Sequence, residues 1–484
     1  MDLISILISL GLLMFLAYRG MSVLILAPAM ALLAVLLSGD LQALLPVYTQ
    51  VFMKAMGGYL IQYFPLFLLG SVFGRLMEST GYALSLANSI TEKLGAQRAL
   101  LAVVLACALL TYGGVSLFVV AFMMFPIGKS LFERAHISKN LLPGAIALGA
   151  FTFTMTALPG TPSVQNSIPS PFFGTDSFAA PGLGLIGSLL MASMGIWWLN
   201  RQSKRPEHQV TMATTNPATI PKNSDAPSTT SQGAPETHET GEIHETRSSN
   251  FMVALFPIVL MAGSNLLMAK WWLPDWKPAF LSNADYGLSS LSAVTGIWAI
   301  IVALVLGVIY LYAVQVLRAR AFTQANEALN EGAKGSMLPI LNTASEVGYG
   351  SVIASLSGFL IIREFVLSIA PGNPLISEAV AVNVLAGITG SASGGMSIAL
   401  QTLGADYLAR AVALGISPEL LHRIAVMASG CMDTLPHNGA VITLLGICQL
   451  THRQAYGHVA MVTLVFPLLT LGVVIALASL FGSF

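Results

Sequence analysis

Thr156-Ala157-Leu158-Pro159-Gly160-Thr161-Pro162-Ser163 interrupts one apolar run of this sequence, and Asp433-Thr434-Leu435-Pro436-His437-Asn438-Gly439 interrupts another. Each stretch joins Leu-Pro to glycine and to polar side chains, and each follows an apolar run that opens with Leu-Leu, at 141–142 and at 420–421. In membrane hydrocarbon an unpaired backbone group costs several kcal/mol, so irregular backbone occurs there only where it is buried in protein or lines a cavity. Two interruptions in corresponding positions point to the binding site of a secondary transporter.

A Gly-Gly pair flanked by hydroxyl groups precedes each interruption by roughly forty residues. The first pair lies in Thr111-Tyr112-Gly113-Gly114-Val115-Ser116, and the second in Ser391-Ala392-Ser393-Gly394-Gly395-Met396-Ser397. Half-helices that end inside a membrane present unpaired N–H groups and the positive end of the helix dipole, which together bind anions. The pairs therefore predict two re-entrant hairpins, over residues 99–128 and 376–402, each turning at its Gly-Gly pair.

The composition is that of a membrane protein. Hydrophobic residues make up 55% of the chain and charged residues 9%, and the mean hydropathy is +0.76, whereas soluble domains carry about 25% charged residues. Because a helix needs about 20 apolar residues to cross a bilayer, the recurring apolar runs predict membrane helices; four of these runs are Leu3–Tyr18, Val23–Leu37, Phe251–Met268 and Ala293–Val314.

Charge and cysteine content exclude other classes of protein. The net charge is zero and no basic tract is present, so we expect no nucleic-acid partner. Three scattered cysteines are too few for a disulfide or metal framework, and we expect neither a metal nor a cofactor.

A polar segment divides the chain. Residues 201–250, rich in Thr, Ser, Pro, Glu and His, predict a disordered linker between a first membrane repeat, 1–200, and a second, 251–484. Lysine and arginine in the loop 129–140 and at the start of the linker place both in the cytoplasm. When the spans are counted from these cytoplasmic segments, the two hairpins open to opposite sides of the membrane. The sequence thus predicts an all-α polytopic membrane protein made of two inverted repeats with re-entrant hairpins and broken helices.

Hydroxyl, amide and imidazole groups, together with close backbone approach at glycine, are the candidate substrate ligands. An alternative remains open, because Ser, Thr and Gly also let membrane helices pack closely. The candidates at the hairpins are Thr111, Gly113, Gly114, Ser116, Thr389, Ser391, Ser393, Gly394 and Gly395, and those at the interruptions are Thr161, Ser163, Asn166, Thr434, His437 and Asn438.

Three ionisable residues inside apolar runs are candidates for proton coupling, namely Asp433, His437 and Glu346. Ionisable groups in a membrane are costly and are functional by default, and histidine titrates near neutral pH. The alternative for Asp433 is to cap the helix after the interruption, with His437 only donating a hydrogen bond. The alternative for Glu346 is a paired carboxylate at a helix end.

Ser429-Gly430-Cys431-Met432-Asp433-Thr434-Leu435-Pro436-His437-Asn438-Gly439-Ala440-Val441-Ile442-Thr443-Leu444-Leu445, followed by Leu450-Thr451-His452, resembles the C-terminal signature of the gluconate permease (GntP) family, and most closely its D-3-hydroxybutyrate permease branch. The resemblance implies an elevator-type symporter of the bacterial inner membrane that carries gluconate or a related hydroxycarboxylate with protons. It also implies that Thr434, His437 and Asn438 lie at or near the substrate, with Asp433 beside them. Gluconate carriers have a histidine in the proline-rich segment that here reads Pro159-Gly160-Thr161-Pro162, so the departure favours a shorter acid.

The leading functional hypothesis is therefore a symporter, working in the lipid bilayer as a homodimer, that imports a small hydroxycarboxylate such as gluconate or 3-hydroxybutyrate with H⁺ or Na⁺. The alternative is a Na⁺/H⁺-type antiporter in which Asp433 and Glu346 bind Na⁺. A membrane-embedded hydrolase using His437 and Asp433 lacks a nucleophile elbow and a metal set, so we do not expect an enzyme.

Overall fold

The computed structural model describes residues 2–19, 21–205, 250–276, 291–317, 321–436 and 438–484. Throughout these ranges the regular structure is helical and contains no β-strand. Most of the predicted linker, 206–249, lies outside the described residues, and so does His437. The prediction of an all-α protein is confirmed for the described part of the chain.

The helices of the first half follow the apolar runs closely. They are α1 (Asp2–Tyr18), α2 (Val23–Ser38), α3 (Leu44–Pro46), α4 (Met53–Ser79), α5 (Tyr82–Leu94), α6 (Ala99–Tyr112), α7 (Leu117–Arg134), α8 (Leu142–Ala150), α9 (Phe153–Thr156), α10 (Ser170–Phe173) and α11 (Pro181–Ser203). Short 3₁₀ turns lie at Leu41–Ala43, Ala96–Arg98, Lys139–Leu141 and Val164–Asn166, and a π-helical segment, Val47–Phe52, joins α3 to α4.

The second half repeats this pattern with longer helices. Its elements are α12 (Phe251–Leu267), α13 (Leu273–Asp275), α14 (Ser292–Leu317), α15 (Phe322–Ser355), α16 (Phe359–Ser368), α17 (Pro374–Thr389), α18 (Ala392–Ala413), α19 (Pro418–Ser429), α20 (Gly439–Ile447), α21 (His452–Ala460) and α22 (Phe466–Phe481). Two further π-helical segments, Met268–Trp272 and Met461–Val465, lie between α12 and α13 and between α21 and α22.

Both halves present the same order of elements around their interruptions. The hairpin α6–α7 is followed by α8 and then by irregular chain, and the hairpin α17–α18 is followed by α19 and then by irregular chain. The long helices that precede them, α4 and α15, pack antiparallel, because Phe52 contacts Gly348 while Val72 contacts Gly332. Antiparallel packing of corresponding helices is the arrangement that an inverted repeat requires.

Helix length and composition agree with a multi-pass membrane protein. Five described helical stretches are long and apolar enough to cross a bilayer: Leu41–Ser79, Pro181–Ser203, Phe251–Asp275, Val294–Leu317 and His452–Phe481. Two more pass the same test only as bent pairs, α5 with α6 at 98° and α15 with α16 at 96°. The count is therefore five spans, or up to seven if each bent pair is one span, and the prediction of broken helices is confirmed.

Candidate functional site

The first hairpin turns where the sequence predicts. α6 ends at Tyr112, and residues 113–116, the first turn, lead directly into α7. Gly114 has a φ of +77°, in the left-handed region that glycine adopts without steric cost. On α6 just before this turn, the Oγ1 atom of Thr111 is buried and has no hydrogen-bond partner among the described residues.

The second hairpin turns earlier than predicted. The second turn is at Gly390 and Ser391, where Gly390 has a φ of +64° and the Ser391 hydroxyl caps α18 by accepting from the Gly394 N–H at 3.1 Å. The prediction that Gly394 and Gly395 form the turn is wrong, because both lie in the first turn of α18. A Cβ on Gly395 would lie 2.2 Å from the backbone nitrogen of Ala386, so glycine here allows α17 and α18 to touch.

The first break, residues 156–180 from the last residue of α9 to the residue before α11, is tied to the first turn. The Tyr112 hydroxyl donates to the carbonyl oxygen of Pro159 at 3.2 Å. A Cβ on Gly114 would lie 3.9 Å from Cγ of Pro162. The hairpin end and the Leu-Pro sequence of the first half therefore lie together.

The second break, residues 430–436 and 438 between α19 and α20, is tied to the second turn in the same way. The Asn438 side chain donates to the carbonyl oxygen of Gly390 at 2.6 Å. Its Oδ1 atom accepts from the N–H groups of Ala440 and Val441, so Asn438 caps α20. Asp433 is therefore not the residue that caps α20. It is half-buried, and its Oδ1 atom is buried without a hydrogen-bond partner in the described structure.

Side chains close to the C-terminus hold the rest of the second break. The Thr434 hydroxyl lies 2.8 Å from the hydroxyl of Thr463, which belongs to the π-helical segment Met461–Val465. The Tyr456 hydroxyl donates to the Thr434 carbonyl oxygen at 3.2 Å, and Nε2 of His452 lies 3.0 Å from the Pro436 carbonyl oxygen.

The two breaks meet. A Cβ on Gly430 would lie 2.5 Å from Cγ2 of Thr156, the last residue of α9. On the other side, a Cβ on Gly387 of α17 would lie 3.2 Å from Cβ of Met432 in the second break. Turn, break, break and turn therefore form one connected cluster, which we call the junction.

Arg423, a buried arginine of the second half that the sequence did not single out, holds the first break through hydrogen bonds. Arg423 of α19 is 0% exposed. It donates to the Ala179 carbonyl oxygen from Nε at 2.9 Å and from Nη2 at 2.7 Å, and to Ser177 O, Ala157 O and Asn166 Oδ1 at 3.3 Å each. Five hydrogen bonds match the five N–H donors of a guanidinium, so this arrangement leaves Arg423 no donor for a ligand.

Neighbouring polar groups complete this bracing. Nδ1 of His422, also on α19, lies 2.7 Å from the Thr175 hydroxyl. The Asn265 side chain of α12 donates to the Gly160 carbonyl oxygen and to the Ser177 hydroxyl. The first break is thus held by helices of the opposite half.

Predicted ligands in the first break form hydrogen bonds within the break and to α9. The Asn166 side chain donates to the carbonyl oxygens of Thr161 at 3.2 Å and Ser177 at 2.9 Å. The Ser163 hydroxyl donates to the Met155 carbonyl oxygen at 2.7 Å. These bonds stabilise the break itself, and contact of these residues with a substrate stays a prediction.

Glu346 lies near the second turn. It is on α15, far from either helix end and 5% exposed, and its Oε2 atom has no hydrogen-bond partner among the described residues. It is therefore not the paired helix-end carboxylate of the alternative reading. One turn away on the same helix, Oγ1 of Thr343 lies 3.4 Å from the Ser393 hydroxyl on α18, so α15 presents polar groups to the start of α18.

Comparison with known proteins supplies one full-length relative. No protein-family model matches the chain. The chain is 44% identical over 470 residues to the uncharacterized transporter YxjC of Bacillus subtilis (strain 168), and the match covers 96% of each chain. A solved structure, that of the Alcanivorax borkumensis YdaH transporter with its unusual topology, matches with a TM-score of 0.49 and 18% identity, over 91% of this chain and 89% of that one.

Proposed function

Since the chain belongs to the family of the uncharacterized transporter YxjC of Bacillus subtilis, we propose that it is a secondary active transporter that imports a small hydroxycarboxylate together with a cation. The observation that carries this proposal is the junction. Each turn is bonded to its own break, through Tyr112 and Asn438, and the breaks touch at Thr156 and Gly430. Helix ends gathered at one point in a membrane protein are the usual construction of a transporter's binding site.

The donors at the junction suit a carboxylate that also carries a hydroxyl group. Thr111 offers a buried hydroxyl without a partner, and the N-terminus of α18 offers the positive end of a 22-residue helix. Arg423 donates all its N–H groups inside the protein, so hydroxyls and helix ends would hold the anion. The resemblance to hydroxybutyrate permeases, and the absence of histidine from Pro159-Gly160-Thr161-Pro162, favour 3-hydroxybutyrate over gluconate.

Buried carboxylates near the junction suit the coupling cation, H⁺ or Na⁺. Asp433 and Glu346 each have a buried carboxyl oxygen without a partner among the described residues, and His437 follows Asp433 by four residues. A cation that enters with the anion cancels the electrical work of moving that anion, about 2.3 kcal/mol per charge per 100 mV.

Transport by an elevator motion fits this construction. In our proposal the two hairpins and the two breaks move as one body against the outer helices, because Arg423 and Asn438 bond parts of that body to each other. The protein acts as a homodimer in the bacterial inner membrane.

Uptake by the purified protein in proteoliposomes tests the proposal. We expect concentrative uptake of labelled D-3-hydroxybutyrate, and weaker uptake of labelled gluconate, when a proton or sodium gradient is imposed. Cation-stimulated proton flux without any organic solute would instead establish the antiporter, which the buried carboxylates Glu346 and Asp433 also suit. Failure of every C3–C6 hydroxy acid to move would contradict the proposal.

A further inference from the structure

The carboxylate of Glu346 occupies the place where an incoming anion would bind. Its Oε2 atom lies 1.5 Å from the position that a Cβ on Gly394 would take, so only glycine admits the carboxyl group to the first turn of α18. The first turn of a helix is where backbone N–H groups and the helix dipole stabilise negative charge. The protein's own carboxylate therefore lies at the helix end that the proposed function gives to the substrate.

The surroundings of Glu346 hold further polar groups without partners. The hydroxyls of Tyr59 on α4 and Ser397 on α18 are buried near each other, and neither forms a hydrogen bond of normal geometry within the described ranges. A pocket of buried polar atoms left unpaired in one conformation is suited to a ligand that supplies the missing bonds.

We propose that Glu346 and the carboxylate of the substrate compete for the N-terminus of α18, so that the anion binds only when Glu346 is protonated. This inference rests on the proposed function and deepens it, because it assigns the coupling ion as H⁺ and says why the proton must enter with the substrate. Two carboxylates that share one buried site cannot both stay ionised. Once protonated, Glu346 carries no charge and gains an O–H donor that the substrate carboxylate accepts.

Glu346 is the group at this place whose charge responds to pH, because the titratable groups that face it from neighbouring elements are tyrosines. From α4 the titratable group that faces it is Tyr59, and the ring of Tyr63 lies tilted against that of Tyr59 with 4.6 Å between the ring centres. The first two turns of α18 and the whole of α2 contain no titratable residue. In the π-helical segment Val47–Phe52 the titratable group is Tyr48, which stacks on Phe52.

Other charges of the elements around α15 lie in ion pairs away from this place. Arg75 of α4 pairs with Glu78, and also with Glu331 at the opposite end of the helix pair. Arg363 of α16 pairs with Asp406 at 2.6 Å. The remaining charges on these elements are Lys54, Glu327, Lys334, Glu364 and Arg410, and Arg410 donates to the Leu367 carbonyl oxygen.

The proton balance follows directly. A proton from the outer solution adds to the Glu346 carboxylate, the substrate anion then binds, and after reorientation both leave to the cytoplasm. One proton moves with each monocarboxylate, so the step carries no net charge.

The test is binding of D-3-hydroxybutyrate to the purified full-length protein, measured by calorimetry across pH together with proton uptake in weak buffer. For the wild type we expect about one proton taken up per bound anion, and a Kd that rises about tenfold for each pH unit above the titration of Glu346. Glu346→Gln mimics the protonated acid, so its binding should be independent of pH and release or take up no proton. Glu378→Gln is the matched control, since Glu378 is 0% exposed and its carboxyl oxygens have no partner among the described residues; it should keep the pH dependence of the wild type.

The possible failures are distinct. Wild-type protein that binds neither D-3-hydroxybutyrate nor gluconate at any pH would overturn the proposed function. Binding to the wild type without proton uptake, or pH-dependent binding that persists in Glu346→Gln, would overturn the competition alone. Because the wild-type measurement decides by itself, a Glu346→Gln protein that does not fold would not protect the proposal.

Discussion

The first break and the second break both contain Leu-Pro, yet different groups hold them. Arg423 crosses from the second half to bind the first break with five hydrogen bonds, and it is fully buried. The second break is held by single hydrogen bonds from its own half, made by Thr463, Tyr456, His452 and the capping side chain of Asn438.

The two breaks therefore differ in how easily they can rearrange. Truncating a buried, fully bonded cation leaves several buried carbonyl groups without donors, which makes the first break costly to rearrange. Single neutral hydrogen bonds contribute about 1 kcal/mol each, so the second break rearranges more easily. We infer that the first break is the fixed wall of the junction and that the second break adapts to the substrate.

Removal of Arg423 should have the largest effect on stability. Arg423→Met keeps a long apolar side chain but leaves the carbonyl oxygens of Ala157 and Ala179 without these donors, so we expect a loss of about 1–3 kcal/mol for each unpaired carbonyl group. Thermal unfolding in detergent would measure it as a large fall in Tm. Arg363→Gln, which breaks a partly exposed ion pair with Asp406, is the control and should cost about 1 kcal/mol or less. Equal losses in the two variants would contradict the fixed-wall account.

Matched asparagine substitutions compare the breaks directly. Asn166→Ala removes bonds to Thr161, Ser177 and Arg423 inside the first break, and we expect it to cost about 2–3 kcal/mol. Asn438→Ala removes a helix cap and the bond to Gly390, at about 1 kcal/mol for the cap, and should reduce uptake more than stability. A larger fall in Tm for Asn438→Ala than for Asn166→Ala would show that the first break is not the more rigid of the two.

The smallest effect should come from the polar segment between the halves. Deletion of residues 210–245, whose composition predicts a disordered linker, should leave both Tm and the rate of uptake unchanged, because we expect a linker of this composition only to join the two halves. Uptake assays on the deletion variant check this. A loss of uptake at normal expression would show that the segment does more than join the repeats.

Much of this architecture is readable in the sequence. The apolar runs give the helices, and the two Leu-Pro stretches give the breaks, because a proline beside glycine and polar residues cannot continue a membrane helix unaided. Gly113-Gly114 also gives the first turn. The second Gly-Gly pair misleads, because glycine serves close packing as well as turns, and Gly395 faces the backbone of Ala386.

Arg423 shows where sequence reasoning stops. Four of its five hydrogen bonds go to backbone oxygens about 250 residues earlier in the chain, and a carbonyl oxygen has no sequence signature. The available signal was the dipeptide His422-Arg423 inside an apolar run, since ionisable residues within membrane helices mark important positions. The unpaired Oε2 atom of Glu346 could not be predicted from the sequence either. It depends on how closely α18 approaches α15, and the spacing of residues on α15 carries no information about that approach.

A disulfide between the two breaks tests directly whether they are in contact. A Cβ on Gly430 would lie 3.4 Å from Cβ of Thr156, close to the roughly 3.5–4.5 Å that disulfides need. Thr156→Cys and Gly430→Cys would be combined with alanine at the three native cysteines and a protease site between residues 206 and 249. The control pair is Thr156→Cys with Gly439→Cys, because a Cβ on Gly439 meets no atom within 4 Å.

After oxidation and cleavage, the account predicts that the two halves of the Thr156→Cys/Gly430→Cys protein migrate together on a non-reducing gel and separate on reduction, while the halves of the control pair separate in both cases. Halves that separate without reduction in the test pair, with both thiols free to react with maleimide, would show that the breaks do not meet and would contradict the account.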